Sequence, residues 1–145
     1  EKEKTEAESE ALAGKRLLLA EDDPLCGEIL CELLEDETGR PVSITANGRA
    51  ALEMFESANG EYDAIIMDVQ MPVMNGYEAA RAIRRSGCGN AKTVPIIALT
   101  ADSSEESARS AADSGMNGCL AKPVNIDRLR KAVAAALKSL SVAYR

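Results

Sequence analysis

The chain has 145 residues, with 24 acidic, 17 basic and no histidine, giving a formal net charge of −7. That length suits one domain with a real core, and 46% hydrophobic with 28% charged residues is ordinary globular composition. Without histidine there can be no Ser-His-Asp or Cys-His catalytic set, no His-ligated zinc and no phosphohistidine, and the acidic balance argues against a nucleic-acid or anionic membrane surface.

Residues 1–14, EKEKTEAESEALAG, are mostly charged residues and alanine, with Leu12 the one bulky apolar member. They are expected to form a linker or lead-in outside the core, ahead of a domain over 15–141. The opening Glu in place of Met fits a segment of a longer protein. RLLLA (16–20) reads as a first strand, and Asp23 before Pro24 as the cap of a helix. That helix carries Leu25, Ile29 and Leu33 at i, i+4 and i+8, with Leu30 and Leu34 alongside. VSITA (42–46) alternates as a second strand, and Asn47 caps a helix bearing Ala51, Leu52 and Phe55.

YDAIIMD (62–68) is a third strand, followed by a helix with Tyr77, Ala80 and Ile83. VPIIALT (94–100) is a fourth. Ser103 with Glu106 reads as a capping box opening a helix whose apolar face is only Ala108, Ala111 and Ala112. After the short strand GCLA (118–121), Asn125 caps a last helix with one stripe of Ile126, Leu129, Val133, Leu137 and Leu140. No apolar stretch approaches the roughly 20 residues that cross a bilayer. Cys26, Cys31, Cys88 and Cys119 form no C-x-x-C pair and no zinc spacing. They are expected to be reduced, buried or half-buried thiols in a reducing cytosol.

Five strands alternating with five helices imply an α/β fold, parallel strands joined by right-handed crossovers. RLLLA, AIIM and PIIAL are continuously apolar, as strands covered on both faces are, while VSITA and GCLA suit sheet edges. The order 2-1-3-4-5 of the flavodoxin-like doubly wound (βα)5 sheet puts those two at the edges; the order is carried over from known folds, not deduced. Ligands of such sheets bind beyond the carboxyl ends of the strands. Those ends carry Glu21-Asp22-Asp23, Asp68, Thr100 and Lys122-Pro123. Carboxylates about 4 Å apart repel by roughly 4 kcal/mol at an effective dielectric near 20, so the cluster needs protonation or a cation. Hard oxygen donors without His or Cys favour magnesium, with calcium or manganese as alternatives.

The strings LLLAEDDP, IIMDVQMPVMNGYEA, IIALTA and GMNGCLAKP resemble the response-regulator receiver domain, particularly the form fused to hybrid sensor histidine kinases. The resemblance implies Asp68 as phosphoacceptor, Glu21 and Asp22 as the acidic pair, the Gln70 backbone carbonyl as a further metal ligand, Thr100 as switch hydroxyl and Lys122 as active-site lysine. It makes Pro72, Gly76 and Pro123 structural positions, with a cis Lys122–Pro123 bond. It implies a magnesium-dependent phosphoryl transfer from a histidine kinase or histidine phosphotransfer domain, manganese being possible. The domain would promote its own phosphorylation and dephosphorylation without being an enzyme in its own right. Its location would be cytoplasmic, by itself or within a membrane-anchored sensor kinase, with no nucleic-acid or membrane contact of its own, and output through the fourth and fifth helices and fifth strand.

Two positions depart from the family pattern. Asn75 stands where Asp is common, which is expected to be a surface change of little consequence. Cys119 stands where the family places a rotating aromatic; cysteine is too small for that role, so the response is expected to fall to the fourth helix and the loop before it. A phosphohydrolase reading fails because its D-x-D-x-T string needs Asp and Thr where Gln70 and Pro72 stand, and EDDPLCG lacks the Gly-rich loop of a nucleotide site. The remaining alternative is a receiver-like module that binds partners without phosphorylation.

Overall fold

A computed structural model describes residues 12–102 and 104–143. The described elements are β1 (Leu17–Ala20), α1 (Pro24–Thr38), β2 (Ser43–Thr45), α2 (Gly48–Ser57), β3 (Ala64–Asp68), α3 (Gly76–Arg85), β4 (Ile96–Thr100), α4 (Glu105–Asp113), β5 (Gly118–Ala121) and α5 (Ile126–Ala143). The strands form one parallel sheet in the order β2-β1-β3-β4-β5, with Asp68 level with Leu99 and Thr100 level with Ala121. The expected order holds.

Strand periodicity divides the core in two. Leu18, Ala20, Ile65, Met67, Ile96 and Ala98 point one way, onto Ala51 and Phe55 of α2, Ala79, Ala80 and Ile83 of α3, and Ala111 of α4. Leu17, Leu19, Ala64, Ile66, Ile97 and Leu99 point the other way, onto Leu30 and Leu34 of α1 and Leu129 and Val133 of α5. Every residue of β1, β3 and β4 is buried, which is why those segments read as unbroken apolar runs. At the edge strand β2 the more buried residue is polar: Thr45 donates to the Leu19 carbonyl (3.4 Å), while Ile44 is 43% exposed.

Caps fix where the helices begin. The Asp23 carboxylate accepts from the backbone N–H groups of Leu25 (3.0 Å) and Cys26 (3.4 Å), and Asn125 from those of Asp127 (2.8 Å) and Arg128 (3.1 Å). Asn47 caps α2 through the Ala50 N–H. At α4 the cap is Ser104, which accepts from Ser107 N, so the helix starts one residue after the expected position; Ser103 lies outside the described residues. Only Ala111 of α4 is buried, and Ala108 and Ala112 are exposed, so its apolar face is narrower than the three alanines suggested.

Two packing features escape a pattern-based reading. Leu12 is 0% exposed and belongs to the α1/α5 side of the core. Gly14 N donates to the Thr38 carbonyl (2.7 Å) and Arg40 to the Gly14 carbonyl (3.2 Å), which docks the chain ahead of β1 on the end of α1. Leu12 is therefore core rather than lead-in, corrected by the burial its single large side chain gains. Secondly, the buried Arg130 of α5 donates to both carboxylate oxygens of Glu37 (2.7 and 3.1 Å) and to Asp127 (2.7 Å). These bonds hold its charged form and tie α5 to α1.

Replacing Leu12 with alanine is expected to cost about 2–5 kcal/mol in urea denaturation, as for a fully buried leucine. A surface-like effect, within about 0.5 kcal/mol, would contradict its place in the core.

Candidate functional site

The carboxyl ends of neighbouring strands carry the charged residues. Glu21 follows β1 and is 3% exposed, Asp68 ends β3 and is 3% exposed, and Asp22 beside them is exposed. The Glu21 backbone is fixed by its N–H bond to the Thr45 carbonyl (3.0 Å). One oxygen from each of the three carboxylates lies within 4.8 Å of the others. Lys122, which follows β5, donates from Nζ to Asp68 Oδ2 at 2.9 Å and lies 2.9 Å from Glu21 Oε1. Its own backbone N–H bonds the Thr100 carbonyl (2.7 Å), which holds the lysine over the end of β4.

Burial works against the Lys122 ammonium, but the contacts with Glu21 and Asp68 outweigh it and hold its pKa above the ordinary lysine value. One ammonium against three carboxylates leaves the site strongly negative. The buried Glu21 Oε1 has that ion pair and no well-directed hydrogen bond, so it keeps a lone pair to offer. Its other oxygen accepts from Asp23 N (3.1 Å), and Asp68 Oδ1 accepts from Gln70 N (3.3 Å). Hard oxygen donors grouped this closely fit a divalent cation such as magnesium.

The other expected residues lie around this cluster. Thr100 is buried at the end of β4, and its hydroxyl donates to the Asp102 carbonyl and accepts from Asp102 N (3.2 Å), so it faces its own loop. Gly76 begins α3 against β3: a Cβ there would lie 2.4 Å from the Asp68 carbonyl oxygen, and only glycine allows the approach. Between them, Val73 is forced to φ +71 in a tight turn in which Met74 N donates to the Pro72 carbonyl (2.7 Å). The Lys122–Pro123 bond is cis, as expected. Cys119 is half-buried beside the α3 and α4 side of the core, and burial pushes its thiol up. All four cysteines are free; Cys26 is exposed, against expectation, because the first turn of α1 faces outward there.

Asn75 caps α3, a role that Asn and Asp fill about equally well, so the departure from Asp costs little there. Its side chain accepts from Glu78 N (2.9 Å), and the Glu78 carboxylate accepts in return from Asn75 N (3.0 Å), a complete capping box for α3. The signal was in the sequence as N-x-x-E ahead of Ala79 and Ala80. Helical spacing makes Tyr77 a core-facing residue; in the fold it is half-buried and lines a cleft with Asp22, Gln70, Pro72 and Asn75. Burial pushes its phenol up, and nearby Cys119 and Asp102 add to this.

Comparison with known proteins agrees with this geometry. The family profile for the response regulator receiver domain matches residues 17–134. The chain is 37% identical over 142 residues to a probable histidine kinase 2 of Oryza sativa and 31% identical over 162 residues to histidine kinase 1 of Arabidopsis thaliana. In both cases 90% of this chain is covered, and it spans only 13% of the relative's length. Among solved structures it resembles the Vibrio cholerae chemotaxis protein CheY4, with TM-score 0.77 and 33% identity over 86% of this chain and 99% of that one. It also resembles the receiver domain of sensor histidine kinase PA1611 from Pseudomonas aeruginosa, with TM-score 0.73 and 36% identity over 87% of this chain and 99% of that one; that structure has a magnesium ion coordinated in its active site cleft. No helix among the described residues is long and apolar enough to cross a membrane.

Two substitutions test the site. Asn75→Ala is expected to cost about 1 kcal/mol in urea denaturation through loss of the cap, and no loss would return Asn75 to an inert surface position. Lys122→Met strands two buried carboxylates and is expected to cost about 1–3 kcal/mol, discounted from a fully buried pair because the lysine is partly exposed. With its pKa raised, the lysine stabilises fully below its ordinary value of about 10.4 and loses the effect only as pH rises through the higher folded value. From neutrality upward, urea midpoints of wild type and variant should therefore stay apart until strong alkali; convergence near neutrality would contradict the ion pair.

Proposed function

The chain belongs to the response regulator receiver family and is a receiver of two-component phosphorelay signalling, and on that premise we propose that Asp68 accepts a phosphoryl group from a partner's phosphohistidine. The observation that supports this most is the buried Asp68 carboxylate, held by Lys122 and Gln70 in a cluster with Glu21 and Asp22. The donor is a histidine kinase or histidine phosphotransfer domain, since this chain has no histidine to phosphorylate. The chain is the receiver part, over about residues 15–141 with Leu12 docked on it, of a longer hybrid kinase.

Phosphoryl transfer through a loose transition state asks the protein for alignment and charge stabilisation. An Asp68 carboxylate oxygen attacks phosphorus; the bond from phosphorus to the imidazole nitrogen breaks, and the imidazole leaves with that electron pair. Lys122 moves its ammonium from carboxylate to phosphoryl oxygen, neutralising charge that the transfer brings in. Thr100 turns its hydroxyl from the Asp102 carbonyl to a second phosphoryl oxygen. Glu21, Asp22, Asp68 and the Gln70 carbonyl are the residues that would hold magnesium, or manganese, whose charge screens the carboxylates from the phosphoryl oxygens. Attack of water on the same phosphorus returns Asp68 to its free form, so the domain limits the life of its own signal.

Intact mass after incubation with a small acyl phosphate tests the reading. A single phosphoryl adduct is expected that needs magnesium and is absent in chelator and in Asp68→Asn. Magnesium alone should raise the melting temperature of wild type and leave Asp22→Ala unmoved. An adduct that persists in Asp68→Asn, or forms equally well in chelator, would overturn the assignment.

A further inference from the structure

The loop between β4 and α4 carries a chain of hydrogen bonds that phosphoryl transfer by itself does not require. At one end, Thr100 donates its hydroxyl to the Asp102 carbonyl and accepts from Asp102 N (3.2 Å). At the other, Asp102 Oδ1 accepts from Ser104 N (3.0 Å) and from the Ser107 hydroxyl (2.7 Å). Ser104 closes the unit, donating its hydroxyl to Ser107 Oγ (3.2 Å) and accepting from Ser107 N (3.1 Å). One residue thus touches the Thr100 hydroxyl with its backbone and the first turn of α4 with its carboxylate.

The helix it holds has little else to hold it. Ala111 is the one buried residue of α4, and few buried contacts mark the low-stability end of a fold. The neighbouring side chain that could couple Thr100 to this face through packing is Cys119, which is small and only half-buried. The ordinary reading of Asp102 is a local turn-and-cap residue, which predicts a stabilising effect independent of Thr100. The bonding pattern points further, because the same loop conformation serves both ends.

We propose that Asp102 is a positioning residue that holds the Thr100 hydroxyl toward its own loop while its carboxylate pins the first turn of α4. When Thr100 turns to the phosphoryl group, it abandons the Asp102 carbonyl, the loop loses the conformation in which the carboxylate meets Ser104 and Ser107, and α4 is released. The release step rests on the reading of Asp68 as phosphoacceptor; the resting latch does not.

The test is amide hydrogen exchange across residues 105–109 of the whole chain, unphosphorylated. Thr100→Ala and Ser107→Ala are each expected to speed exchange about threefold or more, and the double variant no further than the larger single effect, since both break one connected unit. Ser107→Thr, which keeps the hydroxyl, should stay at the wild-type rate. Magnesium with beryllofluoride, a phosphoryl mimic, should speed exchange there in wild type and add nothing in Thr100→Ala. Single variants without effect, or effects that multiply in the double variant, would overturn the latch. A wild-type chain indifferent to the mimic would overturn the release step and the Asp68 reading, while the resting cycle would still decide whether Asp102 links Thr100 to α4.

Discussion

The repulsion among Glu21, Asp22 and Asp68 is the constraint to which the rest of the site answers. The parallel order of β1 and β3 brings their carboxyl ends side by side, so the carboxylates that follow those strands must crowd. Lys122 relieves part of that charge by standing between Glu21 and Asp68 at 2.9 Å from each. What remains is a standing demand for positive charge, which a divalent cation answers and which an incoming phosphoryl group would otherwise meet as a barrier. The energetic cost of keeping three carboxylates together is thus the source of the site's selectivity for cations and of its need for a lysine.

That arrangement survives because the loops around it leave no slack. Gly76 lets α3 start directly against the Asp68 carbonyl, and Gly48 lets the start of α2 receive the Met74 carbonyl through a 2.9 Å bond. Between those anchors Val73 takes a left-handed backbone that a β-branched residue rarely adopts. Strain of this kind persists where the surroundings over-determine it, and here Met71 is buried on one side and the capping box at Asn75 begins on the other. The floor of the site is closely packed and hydrogen-bonded. Its far wall, from Thr100 into α4, is held by exposed hydrogen bonds and one buried alanine, so the two sides of the site differ in how readily they move.

Much of this was legible in the sequence, for physical reasons. Unbroken apolar runs revealed the strands covered on both faces, Asp23-Pro24 marked the start of α1, and the last apolar stripe marked α5 as far as Leu137; the side chain of Leu140 lies outside the described residues. The charged residues at the strand ends were visible because strand ends are where polarity returns. Leu12 is core that the sequence does not reveal, because one large side chain in a polar stretch carries no periodicity. The cap at Asn75 is legible only through its pairing with Glu78 three residues later, since Asn by itself suits a turn as well as a helix start. The bonds from Asp102 to Ser104 and Ser107 depend on how a loop turns, which residue spacing does not encode.

The most direct test of the central claim locates the bond itself. After incubation with a small acyl phosphate and magnesium, borohydride reduction converts an aspartyl phosphate to homoserine, which peptide mass spectrometry assigns to a position. The account predicts homoserine at residue 68 and nowhere else. Homoserine at Asp22 or Asp23, or none at any position in a chain that carries a phosphoryl adduct, would contradict it.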